Sequence, residues 1–147
     1  GRAGRKHNRG TVIIQTSQPE HPLIELVQNQ KYNEFLETQL KERNLFKYPP
    51  FYRLIKIVIK HKNLSTVERA SEMLGTELRK NKALTVLGPE FPLISRIQLW
   101  YQKEIWLKIE RKYNSDHIKT FVIQAIQTTK QSPLNSNCII NIDVDPA

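Results

Sequence analysis

The chain has 147 residues, 39% of them hydrophobic, which suits one ordinary domain or a small domain with an appendage. Lysine and arginine number 23 against 14 aspartates and glutamates, a net charge of +9 that favours a polyanionic partner, nucleic acid ahead of anionic membrane. A single cysteine excludes an internal disulfide and any cysteine-based metal cluster, and no apolar run nears the roughly 18 residues of a membrane span.

At the start, Gly1-Arg2-Ala3-Gly4-Arg5 sets two arginines three apart among small residues. Guanidinium forks grip phosphate oxygens and glycine lets backbone approach, so the run suits a phosphate site; a basic tail is the competing reading. Residues 10–16 (Gly-Thr-Val-Ile-Ile-Gln-Thr) read as a buried strand, an orphan that would invite pairing between chains. His21-Pro22 opens a short helix with Leu23, Ile24, Leu26 and Val27 on its apolar side. A charged amphipathic helix follows over 29–45, ended by Tyr48-Pro49-Pro50-Phe51, which is expected to be extended. The domain boundary is placed here, giving residues 1–45 and 46–147.

The second part reads as six elements. A β-rich run covers 51–60, and Ser65-Thr66-Val67-Glu68 has the spacing of a capping box for a helix burying Val67, Ala70, Leu74 and Leu78. A short strand over 84–87 closes at Gly88-Pro89, and another is expected from about Arg96 to Trp100. Residues 104–110 alternate, with Ile105, Leu107 and Ile109 on one face and Glu104, Trp106, Lys108 and Glu110 on the other. Asn114/Ser115 starts a helix burying Ile118, Phe121, Val122, Ala125 and Ile126. Last, Cys138, Ile140, Ile142 and Val144 alternate with polar residues in a final strand, where Cys138 reads as a small core residue. The order β-α-β-β-α-β predicts an α+β, ferredoxin-like split βαβ domain with one sheet face left open.

Three pieces carry a family resemblance. The opening Gly-Arg run with residues 10–16 looks like helicase motif VI and the closing strand of a second RecA-like lobe. Pro19-Glu20-His21-Pro22 and Tyr48-Pro49-Pro50-Phe51 with Arg53-Leu54 look like the junction leaving it. Leu87-Gly88-Pro89 and Ile142-Asp143-Val144-Asp145-Pro146 look like landmarks of the domain that follows. In that order, over essentially the whole chain, they resemble the C-terminal part of the bacterial primosomal protein N′ family, replication-restart DNA helicases of superfamily 2. The resemblance implies that residues 1–45 end a helicase lobe whose parent is an ATP-dependent 3′-to-5′ helicase acting on forks and D-loops. It implies a cytoplasmic protein, with single-stranded-DNA-binding protein and other primosome proteins as partners. Arg2 and Arg5 would contact the nucleotide γ-phosphate, with ATP, Mg²⁺ and structural zinc belonging to the intact parent. No Gly-Lys-Ser/Thr phosphate loop occurs in the sequence, so this chain by itself is expected neither to hydrolyse ATP nor to hold a cofactor. Members often carry an aromatic-Arg pair where this chain has Tyr101-Gln102, and the neighbouring Lys103 would point to the opposite face.

Candidate DNA contacts are Arg53, Lys56 and Lys60 in the first strand, then Arg96, Tyr101, Lys103, Lys108, Arg111 and Lys112, with Tyr52, Trp100 and Trp106 among them. Basic groups interleaved with aromatics suit a surface that grips backbone and stacks unpaired bases. The alternative is a docking scaffold that positions helicase lobes and receives the tail of single-stranded-DNA-binding protein. The charge of the open sheet face separates the two, since a neutral or acidic face favours docking. His7, His21, His61 and His117 are scattered without metal-like spacing, and no metal is expected. Asp143 and Asp145 read as solvated or capping rather than cation-binding.

Overall fold

A computed structural model of the chain describes residues 11–146. Two compact units divide between Lys41 and Glu42. In the first, residues 11–16 are exposed and carry no strand, contrary to the expectation from their β-branched run. A strand needs a ladder partner, and none of the described residues pairs with this segment, so Val12 and Ile13 stand 72% and 87% exposed. Helix α1 (Pro22–Gln28) starts as predicted, with Pro22 in its first turn and the His21 side chain accepting from the Leu23 N–H at 3.2 Å. It ends where Gln30 turns to φ 55° and the Lys31 N–H donates to the Leu26 carbonyl. Helix α2 (Tyr32–Leu45) therefore begins three residues later than 29.

The second unit opens on the end of α2, where Lys47 adopts φ 58° and the Tyr48 N–H donates to the Arg43 carbonyl at 2.7 Å. Residues 48–51 form a turn rather than the predicted extended segment. The Pro49–Pro50 bond is cis, and the N–H groups of Phe51 and Tyr52 both fold back on the Tyr48 carbonyl. Then come β1 (Tyr52–His61), α3 (Leu64–Arg79), β2 (Leu84–Glu90), β3 (Arg96–Ile97), β4 (Trp100–Glu110), α4 (Ser115–Gln131) and β5 (Ile139–Val144). The sheet order is β2-β4-β1-β5, every pairing antiparallel, with β3 a short hairpin partner of β4. Setting β3 aside, this is the predicted ferredoxin-like βαββαβ arrangement.

Alternation puts Ile55, Ile57 and Ile59 of β1 and Ile105, Leu107 and Ile109 of β4 on one face, paired Ile57 to Ile105 and Ile55 to Leu107. Ala70, Leu74 and Leu78 of α3, with Ile118, Val122 and Ala125 of α4, cover that face at helical spacing. Each buried Val, Leu or Ile side chain here contributes about 1.5–3 kcal/mol by leaving water.

Three local expectations need correction. The cap of α3 is Asn63, whose Oδ1 accepts from the Thr66 N–H at 3.3 Å. Ser65, read as the cap, instead donates its hydroxyl to Asn63 Oδ1 at 2.7 Å. Second, β2 continues past Gly88 to Glu90 through a bulge. Third, the strand from Arg96 breaks after Ile97, where Gln98 takes φ 56°, and β4 starts afresh at Trp100. Residues 100–103 lack clean apolar–polar alternation, which hid this start. Gln102 is buried there, its Nε2 donating to the Ile94 carbonyl at 2.6 Å and its N–H to that of Ser95 at 2.9 Å.

Candidate nucleic-acid interface

Strand parity divides the candidate contacts between two faces. Arg53, Tyr101 and Lys103 share the parity of the core residues and lie on the helix side. Lys103 is held there 3.9 Å from the Glu72 carboxylate and 4.9 Å from the Phe91 ring centroid, as its position beside Gln102 requires. Arg96 sits opposite Tyr101 in the hairpin, its guanidinium 5.0 Å from that ring. Arg53 borders a small cleft with Ile109, Ile118 and Lys119. Arg111 and Lys112 follow β4, and Lys112 reaches Glu110 at 2.5 Å; the hydrogen bond and charge of Glu110 push the Lys112 ammonium above its ordinary range. Arg2 and Arg5 lie outside the described residues.

Lys56, Lys60 and Lys108 face away from the helices with Trp100, Trp106, Glu104 and Glu110. Three lysine–aromatic pairs form on this open side. Lys56 stands opposite Trp106 in register, its Nζ 5.1 Å from the ring centroid. One residue past β1, Lys62 reaches Trp100 at 5.6 Å. At the other end the turn after α2 brings in Tyr48, with Lys108 Nζ 3.9 Å from its ring and donating to the Phe46 carbonyl at 2.7 Å. Such pairs hold an ammonium over an aromatic face while leaving N–H groups for a further acceptor.

Along the strands the open face carries no net positive charge, Lys56, Lys60 and Lys108 standing against Glu90, Glu104, Glu110 and Asp143. Lys56 is paired directly with Glu104 at 2.7 Å, and Glu104 also accepts from the Trp106 indole N–H at 3.2 Å. The excess positive charge sits at the two ends, Lys62 at one and Arg43 and Lys47 at the other, where Arg43 donates to the Pro49 carbonyl and Lys47 lies 3.5 Å from the Thr85 hydroxyl. Tyr48, Arg43, Lys47 and Lys62 were not among the sequence candidates. Tyr48 stood in a motif read only as a boundary, and the other three become neighbours of the face only through the turn and register.

Asp145 proves to be a clamp. At φ 51° it accepts from the Leu54 N–H through Oδ1 at 3.2 Å and donates its own N–H to the Leu54 carbonyl at 2.9 Å. Cys138 is buried, and that burial pushes its thiol above the usual range. Among the described residues no group of three His, Cys, Asp or Glu side chains could hold a metal ion, and no helix is long and apolar enough to cross a membrane.

The fold and its open face define a small α+β module with a mixed lysine–aromatic surface. A family model, the primosomal protein N C-terminal domain, matches residues 44–147, and the chain belongs to that family. Among curated relatives, each called replication restart protein PriA, that of Synechocystis is 35% identical over 99% of this chain and 17% of its own length. The Bacillus subtilis protein is 27% identical over 99% of this chain and 18% of its own, and that of Chlamydia pneumoniae 40% identical over 60% and 12%. The chain thus spans less than a fifth of the length of these relatives. A solved structure, the de novo designed protein Foldit4, superposes with a TM-score of 0.50 at 13% identity, covering 65% of this chain and 98% of its own, which is a likeness of fold alone.

Proposed function

We propose that the chain is the nucleic-acid-binding C-terminal module of a replication-restart helicase, acting in the cytoplasm on forked or D-loop DNA among other primosome proteins. The observation that carries the reading is the row of lysine–aromatic pairs on the open face, Lys108 with Tyr48, Lys56 with Trp106 and Lys62 with Trp100. Aromatic rings accept unpaired bases by stacking, and each ammonium can meet a phosphate. Because the strand residues carry no net positive charge, the centre suits bases, while the basic ends suit phosphates.

Residues 1–45 are the end of the preceding helicase lobe in this reading, with Arg2 and Arg5 directed at the nucleotide of the intact protein. ATP, Mg²⁺ and zinc belong to other parts of such a protein; the described residues offer no side-chain group fit for zinc. Fluorescence anisotropy of a labelled fork against the chain, Trp100→Ala and Trp106→Ala tests the proposal. Weakening of about 5- to 150-fold in each variant is expected, from a stacking loss of about 1–3 kcal/mol per base. Equal affinity in all three would refute it.

A second reading rests on the lack of net positive charge along the strands, above all the Lys56–Glu104 pair at 2.7 Å. A strand face without net positive charge is the outcome that favours protein docking, with the acidic tail of single-stranded-DNA-binding protein as the partner. Capture of that tail by a chain indifferent to forks, lost on Lys112→Glu, would favour it.

A further inference from the structure

At the Tyr48 end of the open face lies a groove of about 400 Å³, within the size range of small-ligand sites. Its floor and walls are Leu54, Leu87, Trp106 and Tyr48, closed by Pro49 and Pro146, and its two charged side chains are Arg43 and Lys108. No acidic or amide side chain lines it. Leu54 is 6% exposed although it faces away from the helices, because this end of the sheet is covered, whereas Leu87 and Tyr48 remain about half exposed. The groove therefore joins aromatic and aliphatic walls to cationic donors.

We propose that this groove seats one unpaired nucleotide, its base against Trp106 and Tyr48 and a phosphate held by Arg43 and Lys108. The proposal rests on the reading that the open face binds nucleic acid. Lys108 is already fixed by the Phe46 carbonyl at 2.7 Å and the Tyr48 ring at 3.9 Å, so little side-chain freedom is lost when a phosphate arrives. Arg43 spends one N–H on the Pro49 carbonyl and keeps others for an oxyanion. Cationic donors without a side-chain carboxylate or amide match an acceptor-only phosphate better than a peptide, whose own N–H groups need acceptors.

The test uses the full chain carrying Trp100→Phe, which leaves Trp106 as the sole tryptophan of the two in the sequence. It is titrated with a short single-stranded oligothymidylate, with an abasic strand of equal length, and with an acidic peptide of equal charge. Binding is followed by anisotropy and by Trp106 emission together. Saturable quenching by oligothymidylate, absent with the abasic strand, is expected, and Lys108→Gln should weaken it about tenfold. Leu87→Glu, at an exposed position on the groove wall, should abolish quenching without unfolding the sheet. If the strand binds by anisotropy but Trp106 emission does not change, the nucleotide seat is wrong and the face reading survives, whereas an abasic strand that binds as well overturns base stacking in both. Quenching by the peptide but not by the strand also overturns the seat. No binding of any strand sinks both.

Discussion

Gly88 shows how one residue shapes the sheet edge. It sits at φ 88°, and a Cβ there would lie 2.7 Å from the Glu104 carbonyl oxygen, a backbone atom that cannot step aside. The Arg79 guanidinium donates to the Gly88 carbonyl on the other side. Gly88→Ala should cost about 2–3 kcal/mol, from the left-handed backbone and the clash; a thermal melt identical to that of the unaltered chain would contradict this. At Cys138 the sign follows from burial. The folded thiol holds its proton more tightly than the unfolded one, so its contribution is full below the ordinary thiol range and falls as pH rises through and beyond it. The gap in melting temperature between the chain and Cys138→Ala should therefore narrow between about pH 8 and pH 10. Cys138 as a core residue was legible from its place in an alternating run. Asp145 was legible only as capping or solvated, since its partner Leu54 is 91 positions away.

Among elements, those with a strong internal period were legible: β1, the 104–110 part of β4, α3 and α4. Each states its buried face in its own residues. Features that depend on a neighbour were not. Residues 11–16 have strand composition but no ladder partner among the described residues. The two-residue β3 exists only because β4 lies beside it. Ser65 and Glu68 satisfy the capping-box spacing, yet Asn63 lies two residues earlier with a carbonyl oxygen free to accept, and Ser65 supports it. Asn63→Ala should destabilise the fold by about 1 kcal/mol, while Glu68→Ala should leave it within about 0.5 kcal/mol. Chemical denaturation of both variants decides between the two caps.

Across the whole molecule, every buried residue among those described lies in the second unit, and neither α1 nor the part of α2 before Glu42 buries one. A chain beginning at Glu42 should keep the cooperative melt of the full one to within a few degrees. The candidate contacts were legible as residue types, and their pairing by face followed from alternation once the register was known. Their ends were not legible, because Tyr48 and Lys62 reach Lys108 and Trp100 only through the turn and the strand termini. In the proposed reading the open face engages nucleic acid through few phosphates and several stacked bases. The direct measurement is the affinity for a labelled fork over a series of salt concentrations, for the chain and for Lys56→Gln/Lys62→Gln/Lys108→Gln. A linear fall of log K with log salt is expected, of slope about −0.7 to −0.9 per phosphate engaged, and the triple variant should engage about two fewer phosphates. Affinity indifferent to salt, or an unchanged slope in the variant, would contradict it.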